Sequence, residues 1–209
     1  MRVLIIGASK GIGLETTRQA LAAGHHVRAL ARSEGMAQSD PNLEKFRSDA
    51  LKTDDVEAAL IGVDVVIQTL GIAGKDLFRP VRLFSDATRV LIPAMQTTGV
   101  KRLICVTGFG AGDSRASIGC LQRVPFDFFL GRAYEDKGVQ ERLIKQSGLE
   151  WTIARPGILT GGPRTGRYKI LSERSQWRNG VISRADVADF LVRQIANPAY
   201  VGLSPVLVN

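Results

Sequence analysis

The amino-acid sequence predicts an α/β protein whose sheet is parallel and doubly wound. Apolar strand-like segments alternate with helical segments from residue 2 to residue 107, and such alternation builds a parallel sheet with helices on both faces. The first segment, residues 3–6, contains only branched apolar residues, which is typical of a strand buried on both faces. With 209 residues, 44% of them hydrophobic, we expect a single domain over residues 1–209.

The charge pattern favours small anionic ligands over macromolecules. The net charge is +8, but Lys and Arg are scattered between acidic residues, without the basic runs typical of nucleic-acid binding. No apolar stretch is long enough for a signal peptide or a membrane span, so we expect a cytoplasmic protein that binds neither nucleic acid nor membranes. The expected partner is a small-molecule substrate. The sequence leaves the oligomeric state open, an oligomer included.

Cysteine and histidine usage argues against several chemistries. Cys105 lies in an apolar run and Cys120 in a glycine-containing segment, so we expect plain thiols rather than a disulfide. The two histidines, His25 and His26, are neighbours at the start of a strand, where adjacent side chains point to opposite faces. This placement argues against a Ser-His-Asp triad and against a metal site, so no metal is predicted.

A glycine-rich turn follows the first strand at once. Glycine lets the backbone approach a ligand where a Cβ atom would collide, and the helix that follows begins with unpaired amides at the positive end of its dipole. This order of elements predicts a seat for the pyrophosphate of a dinucleotide, and the alternative is a purely structural turn. The residues of the predicted seat are Gly7, Ser9, Lys10, Gly11, Ile12 and Gly13.

The end of the second strand indicates which dinucleotide is bound. We expect the first helix over residues 11–24 and the second strand over residues 26–31, directly before Arg32. An acidic residue there would bind the 2′-hydroxyl of NAD, whereas Arg32, with Lys10 on the same side, suits the 2′-phosphate of NADP. We therefore predict NADP(H). The alternative is that both cations are solvated surface charges.

Two further strand ends supply candidate cofactor contacts. Asp49 and Ala50 follow a short third strand, and Asp49 would accept a hydrogen bond from the adenine amino group or, alternatively, cap the next turn. A second helix leads to the fourth strand, residues 64–69. Leu70 and Gly71 come directly after that strand, where backbone approaches the cofactor.

The middle of the chain predicts a third helix and a fifth strand. An apolar stripe of helical period covers residues 85–98, and Pro93 inside it predicts a kink or a late start. The fifth strand covers residues 102–107. Ligands bind beyond the carboxyl ends of such strands, so Thr107 and Gly108 are candidate contacts for the nicotinamide or the substrate.

Residues 109–131 are expected to form a long irregular loop on the substrate side. The segment is rich in glycine and phenylalanine, including Phe126 and Phe128. Long loops in compact domains are usually functional, and exposed aromatic rings suit a flat conjugated substrate. The alternative is a small satellite core beneath a lid.

The next predicted helix, residues 132–146, carries Tyr134 and Lys137 on one face. The ammonium group would favour phenolate and lower the pKa of Tyr134 toward neutrality, which would make Tyr134 a proton donor. In the alternative, Tyr134 packs and Lys137 holds ribose hydroxyls.

The C-terminal part completes the sheet and a second wall of the pocket. A sixth strand is expected over residues 150–157. Residues 159–180 are polar, rich in arginine and include Trp177, and we expect a loop that forms the other substrate-side wall. A last helix begins at Ser183, and residues 205–208 form a final strand.

Motifs along nearly the whole chain share one family resemblance. They are residues 7–13 (GASKGIG), Arg32, residues 106–108 (VTG), Tyr134 to Lys137, residues 147–157 (SGLEWTIARPG) and residues 182–188 (ISRADVA). Together they resemble atypical short-chain dehydrogenases/reductases and are similar to the biliverdin reductase B (flavin reductase) and NmrA-like groups. The resemblance implies a Rossmann fold and a set of NADP contacts. Beyond the glycine turn, these are Arg32, Asp49, Ala50, Leu70, Gly71, Thr107, Lys137, Pro156, Gly157, Ile158 and Leu159.

The chain departs from typical members of that family at the tyrosine. Typical short-chain dehydrogenases have a tyrosine four residues before the lysine, whereas Ala133 stands there in this chain and Tyr134 is three residues away. Flavin-reductase-like relatives work without this tyrosine, and solvent supplies the proton. Thr107 matches the position of a pocket serine in those relatives.

The resulting expectation is an NADPH-dependent reductase of flavins, quinones or similar flat acceptors. Its predicted catalytic residues are Lys137 and Thr107, which hold cofactor and substrate, and Tyr134 as a proton donor. One alternative is a non-catalytic NADP(H) sensor of the NmrA-like type that acts on a protein partner through the aromatic loop. Another is a sugar-nucleotide epimerase or dehydratase.

Overall fold

An eight-stranded sheet with the order β3-β2-β1-β4-β5-β6-β10-β8 forms the centre of the computed structural model. The model describes residues 1–32, 39–72, 81–117 and 120–209, and the side chains of residues 120–130 lie outside the description. All neighbouring strands in this sheet are parallel except β8, which is antiparallel to β10. The strands are β1 Arg2–Ile6, β2 His26–Ala31, β3 Leu43–Arg47, β4 Val65–Gln68, β5 Arg102–Val106, β6 Glu150–Pro156, β8 Lys169–Leu171 and β10 Val206–Val208.

Helices cover both faces of the sheet, because successive side chains of a buried strand point to opposite sides. In β1, Val3 and Ile5 pack in the core layer that holds α1 and α5, whereas Leu4 and Ile6 pack in the layer that holds α2, α3 and α4. The helices are α1 Gly11–Ala22, α2 Thr53–Leu60, α3 Leu83–Thr98, α4 Cys120–Lys145 and α5 Arg184–Arg193. The predicted doubly wound parallel sheet is confirmed.

The predicted loop over residues 159–180 is wrong in part, because it contains short regular elements. It contains β8 and a 3₁₀ helix, Arg174–Gln176. Two further strands, β7 Ile158–Thr160 and β9 Val181–Ser183, form a small parallel sheet of their own. Polar composition concealed these elements because strands at the margin of a fold keep one face in solvent.

The predicted irregular segment over residues 109–131 is also wrong. A 3₁₀ helix covers Gly112–Ser117, and α4 begins at Cys120 rather than near Arg132. Pro125 and Gly131 lie inside α4, although both residue types disfavour helix interiors. A helix of 26 residues retains most of its backbone hydrogen bonds despite one proline, and tertiary packing commonly overrides local propensity. The side chains of Phe126 and Phe128 lie outside the described residues.

The start of α3 is fixed by α4. The Asp136 carboxylate, which is 6% exposed, accepts hydrogen bonds from the backbone amides of Phe84 (2.9 Å) and Ser85 (3.2 Å). These amides have no partner within their own helix, so Asp136 acts as an N-terminal cap supplied by another helix. α3 begins at Leu83, next to these capped amides, and continues past Pro93, so the expected late start is wrong.

In the described part of the chain, no helix is long and apolar enough to cross a membrane. Among the same residues, no group of three or more His, Cys, Asp or Glu side chains is arranged to hold a metal ion. Cys105 is a buried free thiol.

Asp136→Ala should destabilise the protein because it leaves the amides of Phe84 and Ser85 buried without partners. We expect a loss of about 1–3 kcal/mol in the free energy of unfolding, measured by urea denaturation. Glu135→Ala is the matched control, since Glu135 is the exposed neighbour of Asp136 on α4 and pairs with Arg115 at 3.7 Å. Equal losses in the two variants would show that Asp136 does not cap α3.

Candidate functional site

The turn between β1 and α1 brings three chain segments into close contact. A Cβ atom at Gly13 would overlap the carbonyl oxygen of Gly7 and lie 2.6 Å from Thr69 Oγ1. A Cβ atom at Gly7 would lie 2.9 Å from the Thr69 carbonyl oxygen, and Gly7 has φ +88°, a left-handed conformation that favours glycine. These glycines therefore let α1 start directly against the ends of β1 and β4.

A cleft of about 1060 Å³ opens at the carboxyl ends of the strands. Typical small-molecule pockets measure ~300–1,000 Å³, so this cleft has room for an extended ligand. Every predicted cofactor contact except Gly13 lines it, and so does Tyr134. The predicted residues that line the cleft are Gly7, Ser9, Lys10, Gly11, Ile12, Arg32, Asp49, Ala50, Leu70, Gly71, Thr107, Tyr134, Lys137, Pro156, Gly157, Ile158 and Leu159.

One half of the cleft lies beside β2 and holds Arg32, Lys10 and Asp49. Arg32 and Lys10 are exposed, and within the described residues neither has a carboxylate within ion-pair distance. Asp49 Oδ1 accepts a hydrogen bond from the Leu51 amide (3.1 Å), so it does cap the turn that follows it. Asp49 also lines the cleft, and both predicted roles of this residue remain compatible with its position.

The other half of the cleft contains Lys137. Its Nζ donates a hydrogen bond to the Thr107 carbonyl oxygen and lies 4.9 Å from the centre of the Phe84 ring. Burial lowers the pKa of Lys137 to about 8. The ammonium group is thus positioned by backbone and by an aromatic face, at the floor of the cleft.

Tyr134 packs as a neutral phenol, which corrects the expected lowering of its pKa. A Cβ atom at Gly108 would lie 2.6 Å from the Tyr134 hydroxyl oxygen, so the phenol fills the space that glycine leaves. Burial raises the pKa of Tyr134. The Lys137 ammonium lies over the ring of Tyr134, 5.4 Å from the ring centre, and donates its hydrogen bond to the Thr107 carbonyl oxygen rather than to the phenol oxygen. It therefore does not offset the cost of burying a phenolate.

The Thr107 hydroxyl faces a buried carboxylate. It donates a hydrogen bond to Glu141 Oε1 at 2.7 Å. Glu141 is 1% exposed and pairs with the guanidinium of Arg155, which is 0% exposed. Since a carboxylate paired with arginine accepts hydrogen bonds only, the hydroxyl proton of Thr107 is committed to Glu141.

Arg155 is the centre of a group of charged and aromatic side chains that we call the Arg155 network. Its members are Arg155, Glu141, Asp113, Arg174 and Trp177. Arg155 donates to both carboxylates and lies 4.9 Å from the Trp177 ring centre. Arg174 pairs with Asp113 at 3.1 Å. Burial raises the pKa of Asp113, but nearby Arg155, Lys145 and Arg174 lower it more, so the net shift is downward.

Several residues of the site carry weak or no signals in the sequence. The Arg155 network joins positions that are far apart in the chain. Arg174 and Trp177 lie in the segment that was predicted to form a wall of the pocket, whereas the only signal at Arg155 itself is an arginine in a strand whose neighbouring residues, Ile153 and Ala154, are apolar. Arg184 lies in a quoted motif, yet its place in the cleft was not foreseen. Gly108, which was predicted together with Thr107, lines the cleft. The cleft residues that were not predicted as contacts are Leu30, Ala31, Ser48, Thr69, Ile72, Leu83, Val106, Phe109, Asn179 and Arg184.

A glycine turn at the first strand and a cleft along the carboxyl ends of a parallel sheet define a dinucleotide-binding protein of the Rossmann type. Residues 7–198 match the family model described as NAD(P)H-binding, and the chain belongs to this family. The resemblance to atypical short-chain dehydrogenases/reductases is thereby confirmed, and the chain is a member of an NAD(P)H-binding oxidoreductase family.

Several proteins are similar to this chain over most or all of its length. An uncharacterized chloroplastic protein of Arabidopsis thaliana is 30% identical over 203 residues, covering 93% of this chain and 71% of the relative. The solved structure of ChuY from Escherichia coli O157:H7, described as an anaerobillin reductase, has a TM-score of 0.82 and 28% identity, covering 100% of this chain and 97% of ChuY. A short-chain dehydrogenase/reductase from Veillonella parvula, solved with NADP, has a TM-score of 0.83 at 16% identity over 100% of this chain and 94% of that one, which shows the shared fold.

The Arg155 network should make stability sensitive to acid through Asp113. Because the folded pKa of Asp113 lies below its unfolded value of about 3.9, its contribution is present above about pH 4 and is lost as the pH falls through the folded pKa. Asp113→Asn should lower stability at neutral pH by about 1 kcal/mol or less, since the side chain is 35% exposed. It should also flatten the acid-side loss of stability.

Denaturant unfolding at a series of pH values measures this effect. Glu57→Gln, which changes an exposed carboxylate of α2 outside the network, is the control. An acid-side profile of Asp113→Asn that matches the wild type would contradict the assignment.

Proposed function

We propose that the protein is an NADPH-dependent reductase that transfers hydride to a flat conjugated acceptor such as a flavin or a quinone. The observation that carries this proposal is one continuous cleft that joins the glycine turn to a space with apolar and aromatic walls. Phe109, Tyr134, Ile158 and Leu159 line that second space. The predicted site residues belong to this proposal as cofactor and substrate contacts.

The glycine cradle fits a dinucleotide phosphate. Side chains at Gly7 and Gly13 would collide with the Thr69 and Gly7 backbone, so the close approach of α1 to the strand ends depends on them. The amides at the start of α1 would hold the pyrophosphate. When bound, NADPH supplies the hydride.

Preference for NADP(H) over NAD(H) rests on Arg32 and Lys10. Both line the half of the cleft beside β2, where the fold places the adenosine ribose. Arg32 follows the last residue of β2, the position at which NAD-binding chains carry a carboxylate. A guanidinium there would bind a 2′-phosphate with two parallel hydrogen bonds.

A flat acceptor suits this cleft better than a carbonyl that needs a dedicated acid. The phenol of Tyr134 is held neutral by burial, and the hydroxyl proton of Thr107 is committed to Glu141. Neither group is tuned to release a proton near neutral pH. A reduced flavin or quinone draws its proton from solvent, so the chain's own task is to bind and orient. Lys137 would hold the nicotinamide ribose.

A turnover assay separates this proposal from its alternatives. Loss of NADPH absorbance in the presence of flavins or quinones is the expected result. A redox sensor would bind NADPH without consuming it, and a sugar-nucleotide epimerase would return its cofactor unchanged at the end of each cycle. Binding of NADPH without its oxidation by any acceptor would contradict the reductase proposal.

Arg32→Asp should remove or invert the cofactor preference, because it replaces a partner of the 2′-phosphate with a like charge. A charged hydrogen bond contributes about 1.5–3 kcal/mol, so the dissociation constant for NADPH should rise roughly 10- to 100-fold. Titration of NADPH and NADH against both proteins measures the change. Lys101→Asp is the control, because Lys101 is an exposed cation directly before β5 and does not line the cleft. Equal binding of both cofactors by the wild type would rule out the assignment.

Lys137→Met and Tyr134→Phe should separate the roles of the two neighbours. Lys137→Met should weaken NADPH binding. In the wild type, the affinity for NADPH should fall as the pH rises through about 8, because Lys137 loses its ammonium proton there, and this pH dependence should be absent from Lys137→Met. Tyr134→Phe removes a hydroxyl alone, and turnover with a flavin or quinone should fall less than about tenfold. Titration of NADPH against the wild type and Lys137→Met at a series of pH values measures the first effect, and turnover against pH at saturating NADPH measures the second. A loss of about 100-fold or more in Tyr134→Phe would establish this phenol as the proton donor.

A further inference from the structure

One of the cations that line the cleft has no role in the proposed binding of the dinucleotide. Among its described lining residues, Lys10, Arg32, Lys137 and Arg184 are cationic, and Asp49 is the one carboxylate. Lys10 and Arg32 lie in the half beside β2. The Nζ of Lys137 donates to the Thr107 carbonyl oxygen. Arg184 remains without an assigned role.

The guanidinium of Arg184 is held at the cleft by a hydrogen bond to the backbone. Nη1 donates to the carbonyl oxygen of Thr160 at 3.0 Å, and the side chain is half-buried. In the described part of the chain, no carboxylate lies within ion-pair distance of Arg184. A guanidinium has five N–H donors in a planar fork, so most of its hydrogen-bonding capacity remains for a ligand.

Internal stability does not account for a cation at this position. Arg184 is the first residue of α5, where the helix dipole disfavours positive charge. Arg193 lies in the last turn of the same helix, where the helix dipole favours positive charge, and it pairs with Asp189 at 2.8 Å. This contrast indicates that the anion that pairs with Arg184 belongs to a bound ligand.

The position of Arg184 associates it with the acceptor rather than with the adenosine. Thr160 ends β7, which follows β6, whereas Arg32 follows β2, and in the sheet β2 and β6 lie on opposite sides of the β1–β4 pair. The neighbouring cleft residues are Ile158, which is 58% exposed, and Leu159. An apolar strip beside one cation matches a flat apolar ring that carries an anionic substituent.

We propose that Arg184 binds a carboxylate or phosphate group of the hydride acceptor, so that the acceptor is a flat conjugated anion. This inference rests on the proposed reductase function. The pyrophosphate of the cofactor presents the same chemistry, since α5 packs beside α1. The test must therefore distinguish an anion of the acceptor from an anion of the cofactor.

FMN and riboflavin form a suitable pair of probes, because they share one ring system and differ in a phosphate. With saturating NADPH, Arg184→Gln should raise KM for FMN about 10- to 100-fold and leave KM for riboflavin within about twofold. The dissociation constant for NADPH should also stay within about twofold. Arg184→Lys keeps the charge without the fork and should recover part of the loss. Arg193→Gln, on the same helix outside the cleft, is the control and should leave both KM values unchanged.

Three results would overturn the assignment. An equal rise of KM for FMN and riboflavin would show that Arg184 acts on the ring site as a whole. Weaker binding of NADPH by Arg184→Gln would assign the arginine to the cofactor. No preference of the wild type for FMN over riboflavin would remove the anion requirement.

Failure of the reductase function itself gives a different result, namely no oxidation of NADPH by either flavin. In that case, direct binding of FMN and riboflavin to the NADP⁺ complex, followed by flavin fluorescence, still tests the subsite. Tighter binding of FMN that is lost in Arg184→Gln would support it, and equal binding of the two flavins would refute it.

Discussion

The close approach of α1 to the ends of β1 and β4 is the constraint on which the site depends. It exists because Gly7 and Gly13 leave no Cβ atoms between the helix and the Thr69 backbone and hydroxyl. With the helix seated there, its first amides face the crevice where the strand order reverses, between β1 and β4. The cleft follows from this geometry, since strands on either side of the crevice deliver their end residues to its two halves.

The second half of the cleft depends on a different kind of interaction, the buried ion pair between Arg155 and Glu141. Glu141 orients the Thr107 hydroxyl, and the Thr107 carbonyl oxygen in turn holds Lys137. Breaking a buried ion pair typically costs about 3–5 kcal/mol, because it leaves one charge uncompensated. The pair therefore joins α4 and β6 to Thr107 at the end of β5, and it ties the position of Lys137 to two residues that do not line the cleft.

The sequence predicted the parts of this arrangement that local patterns encode. The alternation of strands and helices predicted the parallel sheet, and the turn from Gly7 to Gly13 predicted the dinucleotide-binding site. The start of α4 escaped prediction because Pro125 and Gly131 are local signals that tertiary packing overrode. The pKa of Tyr134 and the Arg155 network depend on contacts between distant segments, and the spacing of Tyr134 and Lys137 does not show how deeply the phenol is buried. Arg184 belonged to a recognised motif, but its orientation toward the cleft required the fold.

Hydride transfer inside the cleft is tested most directly by a single-turnover experiment without oxygen. Protein loaded with NADPH is mixed rapidly with a flat acceptor, and the loss of NADPH absorbance is followed for NADPH with hydrogen or with deuterium at C4. If the cleft positions the nicotinamide against the acceptor, NADPH is consumed and the deuterated cofactor reacts more slowly. If NADPH stays bound and unchanged with every acceptor, the protein is not a reductase.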